Sequence, residues 1–336
     1  MGRALGGSVD PVQLPAPTVS DVGAAQARIR GIAEVTPVIA SVPLAVETGV
    51  PVWLKAECNQ VTGSFKVRGA ANALTLLTDE ERARGVVAVS SGNHGRAVAH
   101  VAARLGIAAT VCLSERVPSI KVDAIRDLGA RVVIAGPDQD TADAEARRLV
   151  RDEGLVFIHP FDDPRVIAGQ GTIGIEILVQ VPDAICVVVP LSGGGLISGV
   201  ALAVGGGMGG MRVVGASQSL GPAMYDSLDA GRLVDVVEED TLADALAGGL
   251  GPENHFTFAL CRDLVDEIAL VSEADIAGAM RFLHTEHSLK VEGGGAVGVA
   301  ALLSGAVTLT GPTVVVVSGG NVAKETWEKV MGAESA

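Results

Sequence analysis

The chain has 336 residues, enough for two modest domains or one large α/β unit, and its forty-three glycines with abundant Val and Ala point to parallel strands joined by tight loops. A formal net charge of −14 excludes a phosphate-tracking surface of the nucleic-acid kind, which needs clustered Lys and Arg. Cysteines stand at 58, 112, 186 and 261 with no C-x-x-C spacing, so neither a zinc site nor a disulfide framework is expected, and reduced thiols in a cytoplasmic protein are.

The Gly- and Pro-containing start, residues 1–19, reads as a loose arm without the apolar core of a secretory signal. From there the pattern alternates. Residues 19–33 read as a helix and 50–57 as a strand, and a helix should begin near Lys66. Strand 85–90 precedes helix 95–106; strand 108–114, helix 117–129 and strand 130–136 follow. Helix 141–154 leads to strand 155–160, helix 171–180 to strand 184–190, and helix 196–204 to strand 211–217. Helices over 273–287 and 295–305 precede a last strand at 312–321 that runs into a glycine turn. The stretch from Ile185 to Met211 carries no charge and could span a bilayer by length, but glycine clusters interrupt it, and strand, loop and helix is the reading.

Such alternation implies parallel strands with helices on both faces. The all-apolar strands near 186–190 and 314–317 suit central positions, and ligands in this architecture bind beyond the carboxyl ends of strands. The loops after 90, 190 and 317 are therefore the places to look. "SSGNHG" (90–95) opens a helix with Ser90, Ser91, Asn93 and His94, which reads either as a carboxylate-binding loop or as ordinary capping by Ser91 or Asn93. "SGGGL" (192–196) lets the backbone close around a phosphate at a helix start. It lacks GxxxxGK, and Ser198 stands where a dinucleotide motif needs glycine. The accidental GxGxxG matches at Gly205-Gly207-Gly210 and Gly293-Gly295-Gly298 have no acidic ribose partner in a βαβ unit. Ser318 in "SGGN" (318–321) reads alone as a turn serine.

Lys66, in "GSFKVRGAANAL" (63–74), is one of few lysines and follows Phe65 after a Gly-Ser turn. An amine, a phosphate cradle and a carboxylate loop are the parts needed for pyridoxal phosphate acting on an amino acid. "SFKVRGA" (64–70), "SSGNHG", "HPFDDPRVIAGQGTIGIEI" (159–177), "SGGGL", "VEGGGAVGVAAL" (291–302) and "SGGN" occur in that order. Over roughly residues 20–325 the chain resembles the fold-type II pyridoxal-phosphate enzymes, in particular threonine/serine dehydratases and serine racemase. The resemblance implies a two-domain α/β fold of the tryptophan synthase β type, with open twisted parallel sheets. The large cofactor-binding domain would comprise 20–80 and 163–336, the small substrate-closing domain 81–162, and subunits would pair as a homodimer. It implies that Lys66 carries pyridoxal 5'-phosphate as a Schiff base, beside Phe65. Ser90, Ser91, Asn93 and His94 would bind the substrate carboxylate, with Asn93 also near the cofactor. Ser192, Gly193, Gly194, Gly195 and Leu196 would hold the phosphate. Ser318 would face the pyridine nitrogen, Glu292 would lie near the cofactor, and Ser91 would act as acid/base opposite Lys66. A serine at 318, unlike an aspartate, does not hold the pyridine protonated by charge, which favours β-elimination over transamination.

The chain departs from that pattern at named positions. Ser192 replaces the first glycine of the phosphate loop. Ser217 and Ala223 stand where metal-dependent members have acids, so no metal site is expected. Ala245 replaces a usual glycine, and residues 213–251 look closest to dehydratases assigned to hydroxyectoine utilisation. An effector-binding C-terminal domain is not expected after "SGGN". The reaction implied is conversion of a β-hydroxy amino acid such as L-threonine or L-serine to a 2-oxo acid and ammonia. The alternatives are a serine-racemase-type activity using Lys66 and Ser91, or dehydration of a hydroxyectoine-derived or other 3-hydroxy amino acid, and a non-catalytic phosphate-binding module is disfavoured by Lys66. Lys66→Ala is expected to abolish turnover while leaving far-UV circular dichroism unchanged; retained activity refutes the role of the lysine.

Overall fold

A computed structural model describes residues 14–117, 119–205, 210–251 and 253–332. Most of the arm expected over 1–19 and Gly207 of the first GxGxxG match lie outside them. Thr18 and Val19 belong to an ordered helix start instead, because Thr18 and Asp21 form a reciprocal capping box for the helix Val19–Arg28. That helix stops five residues short of the expected 33, with Gly31 in the left-handed region just beyond it.

Among the described residues, ten strands form two sheets. They are β1 (Val38–Ala40), β2 (Val52–Ala56), β3 (Val86–Val89), β4 (Ala109–Leu113), β5 (Arg131–Ile134), β6 (Val156–Phe157), β7 (Cys186–Pro190), β8 (Arg212–Gln218), β9 (Glu267–Val271) and β10 (Thr313–Val317). The larger sheet has the order β1-β2-β10-β7-β8-β9 and the smaller β5-β4-β3-β6. All pairings are parallel except β1 against β2, an antiparallel edge that alternation did not predict. The charge-free strands β7 and β10 lie at the centre of the larger sheet with every residue buried, as their composition requires. No helix among the described residues is long and apolar enough to cross a membrane.

Short elements with weak periodicity were not anticipated: β1, β9, and the helices Val42–Thr48, Ala223–Asp229 and Thr257–Leu264. Strand 155–160 shrinks to two residues at β6, and the helix expected over 171–180 begins seven residues earlier, at Pro164, capped by Asp163.

Three helices are locked together at backbone distance. Lys66–Thr75 packs on Pro164–Gln180, where a Cβ on Gly169 would lie 2.5 Å from the Arg68 carbonyl oxygen. Pro164–Gln180 in turn packs on Gly195–Val204, where a Cβ on Gly171 would lie 2.6 Å from the Gly199 carbonyl oxygen. Glycine is the residue that permits these approaches. The stack fixes the start of the Lys66 helix relative to the start of the helix after β7.

Inside this stack lies a buried ion cluster. Arg68, 0% exposed, donates to Glu57 (2.8 Å at Nε and at Nη2), to Glu176 (2.6 Å) and to Thr172 (3.1 Å). Lys55, also 0% exposed, donates to Glu176 at 2.5 Å and to the Thr36 carbonyl at 2.8 Å. Two cations face two carboxylates, so the cluster is neutral as a whole, but removal of one partner leaves uncompensated charge. Glu176→Gln is expected to lower unfolding free energy by about 3–5 kcal/mol, read as a lower denaturant midpoint; an unchanged midpoint contradicts the cluster's role.

Candidate active site

The loops expected to meet do meet, at the carboxyl ends of β3, β7 and β10. Lys66 is the first residue of its helix, and its half-buried Nζ donates to the Pro160 carbonyl at 2.7 Å, with the ammonium 5.1 Å from the Phe65 ring centre. Loss of solvation pushes its amine down to about 8, while the Glu292 carboxylate pulls the other way. The segment before it is pinned to the end of β10: Phe65 N–H donates to the Ser318 carbonyl (3.0 Å), Gly320 N–H to the Gly63 carbonyl (2.9 Å), and Ser64 forms a bridge with Gly319.

After β3, the helix Asn93–Leu105 starts at Gly92 with no side-chain cap. Ser90 accepts the Gly92 N–H at 3.2 Å, and Ser91 is half-buried with no side-chain partner among the described residues. Asn93 is tied on both sides: its Nδ2 donates to Glu292 at 2.6 Å, and its Oδ1 accepts from Asn321 at 2.7 Å. Burial raises the Glu292 carboxyl to about 7, against the Asn93 hydrogen bond, which lowers it. His94 points differently. Its Nε2 lies 2.8 Å from the Ile158 carbonyl and so carries the proton, its Nδ1 is buried without a partner, and burial depresses it to about 3. It is a neutral ring beside the loop.

After β7, Gly194 lies at φ +86 and caps the helix Gly195–Val204 with no side-chain hydrogen bond. Gly193 packs on the Phe161 ring, and a Cβ on Gly195 would lie 2.7 Å from the Phe161 carbonyl oxygen. The Ser192 hydroxyl donates to the Leu246 carbonyl at 2.9 Å, and Leu196 turns its side chain into the core, so both face the loop through their backbones. Ser318 is buried, its Oγ 3.5 Å from the Gly294 carbonyl. Among the described residues no group of three or more His, Cys, Asp and Glu could hold a metal, and the Ser217 hydroxyl is donated to Gln218.

Two helix starts at this site carry glycine where several others carry side-chain caps. Helices at Val19, Asp79, Gln139 and Glu273 begin with side-chain capping boxes, whereas those at Asn93 and Gly195 begin with glycine and no side-chain cap. Uncapped first turns offer free N–H groups and the positive end of the helix to an anion. One amine, a glycine-walled helix start and a second uncapped start fit a phosphorylated carbonyl compound and a carboxylate substrate.

The comparisons with known proteins decide the family. Residues 29–320 match the pyridoxal-phosphate dependent enzyme family. The chain belongs to that family. The L-threonine ammonia-lyase of Geobacter sulfurreducens is 44% identical over 88% of this chain and 73% of its own. The L-threonine ammonia-lyase of Thermotoga maritima is 43% identical over 91% and 76%. The structure of maize serine racemase superposes with a TM-score of 0.89 at 34% identity, covering 96% of this chain and 98% of that one. The structure also brings to these loops residues that the sequence motifs had not singled out. They are Pro160 and Phe161, which join the amine to the glycine loop, and Asn321, which orients Asn93. Their signal was only their place in "HPFDDP" and "SGGN".

Glu292 gives a pH test on cofactor-free protein. Between pH 4.5 and about 7 the folded state holds a proton there that the unfolded chain has released, so this group's contribution to stability falls as pH rises through that window. Glu292→Gln is expected to match the parent below pH 4.5 and to gain on it up to pH 7, in denaturant midpoints; a pH-independent difference contradicts the raised carboxyl.

Proposed function

We propose that the protein is a pyridoxal-phosphate-dependent ammonia-lyase that converts a β-hydroxy amino acid such as L-threonine or L-serine to a 2-oxo acid and ammonia. The observation that carries it is the Lys66 amine, depressed to about 8 and held 2.7 Å from the Pro160 carbonyl beside the uncapped glycine loop. The identity with two L-threonine ammonia-lyases supports the choice of substrate class.

In this reading Lys66 is the residue that forms the Schiff base with the cofactor. When bound, the cofactor supplies an electron-withdrawing ring that makes the α-proton of the substrate acidic. The first-turn N–H groups of Gly195–Val204, with Ser192, Gly193, Gly194 and Leu196 of the loop, hold its phosphate. The uncapped turn at Asn93, with Ser90 and Ser91, holds the substrate carboxylate, and Asn93 is kept in place by Glu292 and Asn321. Lys66, once free, accepts the α-proton: an amine near pKa 8 has a neutral fraction at neutral pH that an ordinary lysine lacks. The β-hydroxyl leaves as water, and water then releases ammonia from the resulting enamine through its imine. Ser318 is a neutral neighbour for the ring. Phe65 and Phe161 cover the amine and the glycine loop with apolar surface. His94, held to Ile158, is a wall of the carboxylate loop.

We also propose that residues 81–162 form a substrate-closing unit over a cofactor-binding unit of 20–80 and 163–336, that the protein is a cytoplasmic homodimer, and that L-serine is a substrate alongside L-threonine. Serine racemase relatives keep one competing outcome in view. A panel of L- and D-β-hydroxy amino acids, assayed for 2-oxo acid and ammonia, is expected to give both products in equal amounts from L-threonine or L-serine. D-serine from L-serine without pyruvate would instead assign racemisation with Ser91 opposite Lys66. Borohydride is expected to fix the cofactor to Lys66, and a colourless protein that takes up no cofactor would sink both readings.

A further inference from the structure

The turn after β6 touches both the lysine and the glycine loop, yet it contains none of the residues given a role so far except as neighbours. Pro160 offers its carbonyl to Lys66 Nζ at 2.7 Å. Phe161 lies against Gly193 and Gly195. Asp162 accepts the backbone N–H groups of His255 (2.6 Å), Phe256 (3.0 Å) and Thr257 (2.9 Å), capping the helix Thr257–Leu264, whose Cys261 lies against Gly194. What shapes this turn is the residue before it. His159 Nδ1 accepts the N–H of Phe161 at 3.2 Å and of Asp162 at 2.8 Å, a local side-chain turn of the kind Asn and Asp make with the residues two and three ahead.

We propose that His159 is a positioning residue for Lys66: its Nδ1 sets the turn that brings the Pro160 carbonyl to the amine and Phe161 to the glycine loop. The inference rests on the reading of Lys66 as the reactive amine. Accepting two N–H groups requires Nδ1 to be unprotonated, so the neutral ring carries its proton on Nε2. The ring is further held edge-on against Phe161, with centres 4.6 Å apart, and against Phe157 at 6.0 Å. The charges that face it are mixed: Lys66 disfavours a second proton, while Asp162, Asp163 and Asp143 favour one, and the neighbouring His94 is neutral. Burial acts in the same direction as Lys66 and holds the ring down to about 4, so it is neutral across the physiological range. A protonated His159 would donate at Nδ1 and oppose both N–H groups.

The test compares His159→Asn, whose side-chain oxygen can accept the same two N–H groups, with His159→Leu, which cannot. In the holoenzyme, His159→Leu is expected to lower kcat by about 10²-fold with KM for the amino acid near the parent's, as for a reactive group displaced by an ångström, and His159→Asn to recover most of that loss. Nitrogen-15 NMR of the holoenzyme is expected to find the His159 proton on Nε2, with Nδ1 unprotonated down to pH 5. A proton on Nδ1 overturns the proposal without any variant. Parental kcat in His159→Leu overturns it as well. If His159→Leu does not fold, His159→Asn decides, and a loss there of about 10²-fold overturns the proposal because acceptance would not be what matters. Borohydride labelling separates the premise: no cofactor at Lys66 in the parent removes the reading of the lysine and this inference together, whereas normal labelling with either failed outcome removes the inference alone.

Discussion

The guanidinium of Arg68 is wholly buried between Glu57 and Glu176, two residues along the helix from Lys66. A buried guanidinium with fixed fork geometry tolerates little rotation of the helix that carries it. Glu57 follows directly on β2, and Glu176 sits on Pro164–Gln180, so the cluster ties the Lys66 helix to the larger sheet and to the helix beneath it. Lys55 shares Glu176 and keeps the group neutral. The Lys66 amine is thus placed by charges that never reach the candidate site. The same pairing explains why glycines 169 and 171 matter: only helices at backbone distance bring Glu176 to Arg68 and, on the far face, bring the helix after β7 into register.

The cluster sets positions, and the helix starts set electrostatics. A protein with this much negative charge must still attract a phosphate and a carboxylate. Uncapped helix starts can supply that attraction through backbone dipoles, without arginines. Two helices begin at the site with uncapped glycine starts, while those at Val19, Asp79, Gln139 and Glu273 are closed with Thr, Asp or Ser caps. Lys66 is left as a cation that gives up its proton readily. Glu292, shielded in the interior and tied to Asn93, is a carboxyl that keeps its proton longer than usual. Such opposed shifts in one site are what proton transfer near neutral pH requires.

How much could be read without coordinates differs by kind of feature. Central strands such as Cys186–Pro190 and Thr313–Val317 were legible because burial on both faces demands uninterrupted apolar runs. The loops at 90–95 and 192–196 were legible as strand-to-helix junctions because glycine and serine interrupt the apolar pattern there. The antiparallel β1 was not, since three residues carry too little pattern. Helix Pro164–Gln180 was seen only from residue 171, because its first turn is mostly buried and shows no polar face. The ion cluster was missed as well: Lys55 and Glu57, Arg68 and Glu176 lie in three separate segments, and nothing local says that they converge.

The order of motifs, the types of residue in each loop and the charge balance are properties of the chain itself, and they determined the fold class, the family resemblance and the candidate lysine. Which groups touch is a property of long-range packing. The contacts of Asn93 with Glu292, of Lys66 with Pro160 and of Phe161 with the glycine loop join residues far apart in the chain. Depressed and raised proton affinities follow from those contacts and from lost solvent, neither of which composition encodes. The pairing of a lysine with the loops that give it meaning was therefore decided only by the tertiary structure, through a buried arginine and two glycines that hold three helices at one spacing.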